Sequence, residues 1–203
     1  MLRRNINSIK NPAIKIKNNL IIQKNKIMST TKWAIDPTHS EIGFKVKHMM
    51  FTNVSGRFSK FDASIESDND TFENAKIEFT GEINSLSTGN SDRDTHLLSP
   101  DFFDVAQFPE IKFSATSFKK INEGEYILEG DLSLHGISKS IELAADFGGT
   151  MQDPWGNTKL AFSLEGKINR KDWGLNWNSA LETGGVLVGE EVRLNIELQL
   201  AKQ

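Results

Sequence analysis

The amino-acid sequence predicts an all-β fold in which eight antiparallel strands close into a barrel, with one short helical or irregular segment as a lid. Three observations lead there. Apolar residues recur at every second position in segment after segment; turn-forming residues separate those segments; and one greasy stretch, Ser87 to Pro109, breaks the alternation. Side chains two residues apart share a face of an extended strand, so such alternation marks strands with one dry face and one wet face.

Trp33 and Ile35 make a short opening strand. Ile42, Phe44 and Val46 follow, with Glu41, Lys45 and Lys47 on the opposite face. The pattern returns as Phe61, Ala63, Ile65, and then as Ala75, Ile77, Phe79, Gly81, Ile83. Beyond the interruption it resumes at Ile111, Phe113, Ala115, then Tyr126, Leu128, Gly130, Leu132, Leu134, then Ile141, Leu143, Ala145, Phe147. Two long runs complete the set: Leu160, Phe162, Leu164, Gly166, Ile168, and Val192, Leu194, Ile196, Leu198, Leu200. These are eight strands after the short first one. Asn122-Glu123-Gly124, Gly148-Gly149 and Asp153-Pro154-Trp155-Gly156-Asn157 supply turn chemistry between neighbours. Closure into a barrel removes the exposed edges that invite aggregation. A sandwich of the same strands has the same periodicity and is the competing arrangement.

Within the interruption, Asp92 to Leu98 fits a helical turn capped by Asn90 or Ser91, and Pro100 and Pro109 limit its extent. Leu97, Leu98, Phe102, Phe103 and Phe108 make this connection apolar, which predicts that it folds onto the barrel.

The chain of 203 residues suits one domain, and its balance of 37% apolar to 25% charged residues is that of a soluble globular protein. No stretch reaches the roughly 20 apolar residues of a membrane span. With no cysteine, disulfides, thiolate metal sites and a cysteine nucleophile are excluded. The formal charge of -3 is unevenly distributed: residues 1–27 hold seven basic residues and no acid, leaving 17 of the 24 basic residues against all 27 acidic ones, a body near -10. Such a body repels nucleic-acid phosphates. The domain reading is therefore a basic, disordered extension over 1–27, with Met28 an alternative start, and a barrel domain over 28–203. The extension lacks the apolar run of a secretory signal, which favours a cytoplasmic location over a periplasmic one.

Periodicity leaves the interior open between a packed core and a ligand cavity. Ordered motifs add to it. Asp36-Pro37-Thr38-His39-Ser40, Phe44 to His48, Val54-Ser55-Gly56-Arg57-Phe58, Arg93-Asp94-Thr95-His96-Leu97, Ser99 to Asp104 and Phe108 to Phe113 occupy the first half. Gly130 to Lys139, Asn169 to Leu175 and Val188-Gly189-Glu190-Glu191-Val192 occupy the second. Together these segments resemble the YceI-like family of lipid- or polyisoprenoid-binding proteins over residues 32–201. The resemblance implies a lipocalin-like eight-stranded barrel whose hydrophobic tunnel holds a long isoprenoid or other amphiphilic chain, with no established enzyme activity. No cofactor and no metal are expected. On that reading the tunnel is lined by Phe44, Val46, Phe61, Ile77, Phe79, Ile83, Leu97, Phe102, Phe103, Phe113, Leu132, Leu134, Phe162, Leu164 and Trp173. The partners are the lipid and, as one option, a second copy of the chain in a homodimer.

Arg93, Asp94, His96, Arg170 and Asp172 are the candidates for a lipid head group or for fixing the lid. Arg93, Asp94 and His96 lie on the apolar connection, where an ion pair holding the lid competes with acid-base work. Arg170 and Asp172 share a face if their strand continues, and a structural pair of Arg170 with Asp172 or with an acid of the lid is favoured there over a ligand contact. His39, His48, His96 and His135 show no metal-ligand spacing; His39 and His135 read as residues that hydrogen-bond backbone at turns. The glycines of Gly184 to Gly189 lack the context of a phosphate loop, and no nucleophile elbow is present. The leading function is thus a carrier or sequestering protein for a long-chain lipid. An enzyme using the tunnel as a substrate slot and a ligand-free, packed partner protein are the alternatives, and the outward charge predicts no partner patch.

Overall fold

The computed structural model describes residues 30–68, 72, 73, 75–182 and 184–203. The extension read over 1–27 lies outside the described residues. Eleven strands follow in chain order among these residues: β1 (Thr31–Ile35), β2 (Glu41–His48), β3 (Thr52–Phe58), β4 (Phe61–Ser67), β5 (Lys76–Glu82), β6 (Leu86–Ser87), β7 (Glu110–Asn122), β8 (Glu125–Leu134), β9 (Ile137–Gln152), β10 (Thr158–Asn169) and β11 (Val188–Lys202). Helix α1 (Ser91–Leu98) lies between β6 and β7, and short 3-10 turns occupy Ile83–Ser85 and Arg170–Trp173.

Eight of these strands form a closed antiparallel ring in the order β1-β4-β5-β7-β8-β9-β10-β11, shut by Trp33, Ala34 and Ile35 pairing with Lys202, Ala201 and Leu200. The length of β11 makes this closure compatible with a second branch. Its 15 residues span roughly 50 Å at about 3.4 Å each, enough to serve two partners on one edge. The final residues pair with β1, while Val188 to Glu197 pair with β2, which carries β3 and then β6. The barrel is therefore a ring of eight at one end and, at the other, a wall of β2, β3 and β6 completed by the α1 segment.

Three strand expectations change. The short opening strand is a ring member, and β2 sits in the branch instead. β3 was not expected as a strand; its inward set is Val54, Gly56 and Phe58, in which a glycine takes the central apolar position and weakens the alternation. Gly148 and Gly149 do not turn the chain. They lie inside β9, where the register against β10 slips between Ala161 opposite Gly149 and Phe162 opposite Phe147, so Gly148 is the extra residue of a bulge. The expected turns at Asn122 to Gly124 and Asp153 to Asn157 do join β7 to β8 and β9 to β10.

The ring end is filled by aromatic side chains. Phe118 stacks on Tyr126 at 4.8 Å, and Phe162 presents its edge or a tilted face to Phe72, Phe118, Tyr126 and Phe147 at 5.1 to 6.0 Å. Trp33 closes the group against Phe72 at 6.2 Å. Such rings combine large apolar area with favourable edge and offset contacts.

A polar clasp fixes the corner between β1 and β2. Asp36 Oδ1 accepts from the Thr38 hydroxyl at 2.6 Å, and Oδ2 accepts from Lys159 Nζ at 3.0 Å and Gln199 Nε2 at 3.2 Å. These bonds, led by Thr38 and Lys159, hold the Asp36 carboxyl well below the usual carboxylate range. His39 also reaches Asp36 Oδ2 and the Thr38 hydroxyl, each at 3.0 Å, so its ring serves side chains and not the backbone expected from sequence. His135 does bond backbone, with Nδ1 3.0 Å from the Trp173 carbonyl.

Candidate functional site

Above the aromatic end the barrel is hollow. A cavity of about 190 Å³ opens among side chains from β2, β5, β7, β8, β9, β10 and β11, and its surface is contributed by apolar atoms. Its position follows from depth along each strand. On β10, Leu160 and Phe162 belong to the packed end, whereas Leu164 and Ile168 line the cavity; on β11, Leu200 is packed and Val192, Leu194, Ile196 and Leu198 line it. Tyr126 on β8 and Phe118 on β7 lie beneath, so the cavity is a blind pocket on a floor of rings.

Two glycines shape its wall. A Cβ on Gly56 would overlap the ring of Phe44, and one on Gly130 would overlap the ring of Phe113 and meet the Ser114 carbonyl at 2.6 Å. Each glycine thus lets a phenylalanine lie across its neighbouring strand, leaving open space that the ring would otherwise fill.

Of the lining expected from sequence, Phe44, Val46, Ile77, Phe79, Leu97, Phe102, Phe103, Phe113, Leu132, Leu134 and Leu164 face the cavity. Four do not. Phe162 is part of the aromatic floor. Ile83 is almost wholly buried in the 3-10 turn where β5 has already ended, its amide bonded to the Pro109 carbonyl. Phe61 packs against the core from the side, and Trp173 is buried with its indole N–H donating to the Leu132 carbonyl at 3.0 Å. The larger omission is the β11 face, Val192 to Leu198, with Leu128, Ile141, Leu143 and Ile168 beside it. Their alternation was visible in the sequence; their depth was not.

The lid folds as its composition predicted. Asn90 caps α1, its side chain accepting from the Arg93 amide at 2.9 Å, and Asp92 and Asp94 occupy the first turn. Leu97, Phe102 and Phe103 of this segment point into the cavity. Arg93 and Asp94 secure it through Thr88 and form no ion pair with each other. Asp94 accepts from the Thr88 amide and hydroxyl, and Arg93 donates to the Thr88 hydroxyl at 2.7 Å and carbonyl at 2.9 Å. His96 bonds Asp101 at 2.9 Å and sets its ring edge-on to Phe102 at 5.1 Å and Trp177 at 4.8 Å. That contact latches the lid to the loop before β11.

Arg170 and Asp172 do not form the expected pair, because the chain leaves β10 for a 3-10 turn and separates them. Asp172 lies outside, 3.6 Å from Lys139. Arg170 turns inward and its side chain borders the cavity, but its nitrogens donate to the carbonyls of Gly189 at 2.9 Å, Val188 at 3.4 Å and Leu175. Burial pushes its pKa down from the ordinary guanidinium value. It acts as a staple between the loop from Leu175 and the start of β11. Arg93 and Asp94 meet at Thr88, while His96, Arg170 and Asp172 each lie elsewhere, and the acid-base group required by the enzyme reading is not assembled at the cavity among the described residues. Among those residues there is also no group of three or more metal-ligating side chains, and no helix is long and apolar enough to cross a membrane.

With this geometry in place, sequence similarity decides the family. The signature of the YceI-like domain matches residues 33–200. The chain belongs to the YceI-like family. Its relatives include UPF0312 protein SA2479 of Staphylococcus aureus, 34% identical over 172 residues, which span 84% of this chain and 98% of that one. A YCEI protein of Campylobacter jejuni has a similar structure, with a TM-score of 0.66, 33% identity and coverage of 83% of this chain and 96% of the other. A polyisoprenoid binding domain from Saccharophagus degradans, at 14% identity, shares the fold with a TM-score of 0.61 over 84% of this chain and 98% of its own. The barrel read from the sequence is thus a fold shared with these solved structures.

Proposed function

We propose that this protein binds one long apolar chain of an isoprenoid-like or other amphiphilic lipid in the blind cavity, and so carries or sequesters it. The observation that carries the reading is an apolar cavity of about 190 Å³, closed below by aromatic rings and covered by Leu97, Phe102 and Phe103. The polyisoprenoid-binding domain of like fold supports the ligand class.

The energetics favour long chains. Each buried methylene contributes about 0.8 kcal/mol, while association costs at least about 4 kcal/mol. Burial alone must therefore enclose more than about five carbons before binding becomes favourable. Short acids and small polar metabolites fall below that threshold in a site without free polar groups.

Native mass spectrometry of protein purified from lipid-replete cells should show a retained lipid, and added prenols should bind more tightly as each isoprene unit is added until the cavity is full. A barrel that stays empty with every long-chain prenol and fatty alcohol, or equal binding of short and long chains, would overturn the proposal.

A further inference from the structure

The hairpin between β2 and β3 ends in Met49, Met50 and Phe51, three large apolar residues that are 42%, 65% and 73% exposed. They are not there for the turn. Met49 and Met50 both have positive φ, at 51° and 67°, a conformation that strains residues with a Cβ and is usually met by Asn and Gly. At the β8–β9 turn the same two positive angles fall on His135 and Gly136, with the glycine absorbing part of the cost. The β2–β3 tip therefore combines backbone strain with exposed apolar surface, two costs that folding does not reward.

Its surroundings narrow what it meets. On a body near -10, the tip end of β2 carries Lys45, Lys47 and His48. Glu190 and Glu191 on the adjoining stretch of β11 are paired with Lys171 and with Lys167 and Arg193. The facing loop, residues 176–188, adds one acid, Glu182, and brings Gly185 and 40%-exposed Val186 beside the tip. The tip also continues the cavity wall: Val46 and Val188 line the cavity, and Val188 pairs with His48, the residue before Met49. Exposed apolar side chains at the tip with Lys45, Lys47 and His48 behind them match the boundary of an anionic bilayer, where the former enter the acyl region and the latter meet head groups.

We propose that the β2–β3 tip docks on anionic lipid bilayers, seating the mouth of the cavity against the membrane so that a chain can pass without crossing water. The passage of lipid rests on the function proposed above; the docking does not.

The absence of cysteine allows a clean test on the full chain. Phe51→Cys, labelled with a polarity-sensitive fluorophore, should shift to the blue on vesicles of phosphatidylcholine with phosphatidylglycerol and much less on phosphatidylcholine alone. The same label at Trp155→Cys, on the exposed β9–β10 turn at the opposite end, should not shift. This local readout is independent of any attraction between the basic residues 1–27 and the vesicles. Lys47→Ala should weaken vesicle binding about fivefold at low salt and less at high salt. Met49→Asn with Met50→Gly should stabilise the fold while weakening vesicle binding at least tenfold, which unfolding cannot explain. No shift at position 51, an equal shift at 155, or loss of self-association in place of vesicle binding on changing the tip would overturn docking. Native mass spectrometry of the same samples separates the two readings: lipid-loaded protein that ignores vesicles defeats docking alone, and persistently empty protein that inserts its tip defeats lipid carriage alone.

Discussion

The two ends of this barrel are built from the same strands with the same alternation, yet one end is solid and the other hollow. The ring end holds Trp33, Phe72, Phe118, Tyr126, Phe147 and Phe162 in mutual contact. The branched end presents Ile, Leu and Val walls, with phenylalanines drawn sideways over Gly56 and Gly130, around open space. The difference shows how one barrel divides its tasks. Aromatic packing at the closed end supplies stability, and the other end forgoes packing contacts around open space.

The largest test of this contrast is a pair of truncations. Phe162→Ala removes the ring at the centre of the floor and should cost about 3–5 kcal/mol, whereas Leu194→Ala, whose side chain already borders a void, should cost no more than about 2 kcal/mol. Urea unfolding of the two variants checks the order, and equal losses would dissolve the distinction between the ends.

Added bulk should show the opposite side of the same difference. Leu160→Phe, at a fully packed position, should destabilise by about 1–3 kcal/mol, while Ile196→Phe has room and should change stability by less than about 1 kcal/mol. Ile196→Phe should nonetheless reduce retained lipid, measured by native mass spectrometry, because its ring takes the space of the guest.

The smallest effect concerns the corner clasp of the ring end. Asp36 is charged to lower pH in the folded state than its ordinary value of 3.8, so its contribution is full above about pH 4 and is lost as pH falls from there through the depressed folded value. Asp36→Asn should cost about 1–2 kcal/mol at neutral pH and flatten the acid limb of the stability curve. Thermal melts of both proteins between neutral and acid pH measure this.

The strands and lid were legible because burial on one face writes a period of two into a sequence, and because Asn90, Pro100 and Pro109 punctuate the connection around α1. Eleven residues of the cavity wall were legible for the same reason. Phe162 was misread since alternation reports the face of a strand and not the depth along it. Ile83 and Trp173 were misread because β5 and β10 end before them and each lies within the 3-10 turn that follows its strand. Arg170 and Asp172 were expected to pair from strand geometry that the same kind of turn abolishes.

By itself, the sequence determined a YceI-like, all-β chain with an apolar interior and an apolar lid, since periodicity and motif order are local properties. Tertiary structure alone decided that β1 and β2 share one edge of β11, that the floor is aromatic and the upper half hollow, and that Met49, Met50 and Phe51 stand exposed beside the opening. Those outcomes depend on strand register and on which side chains meet across the barrel, and residues far apart in the chain encode neither until the ring is closed.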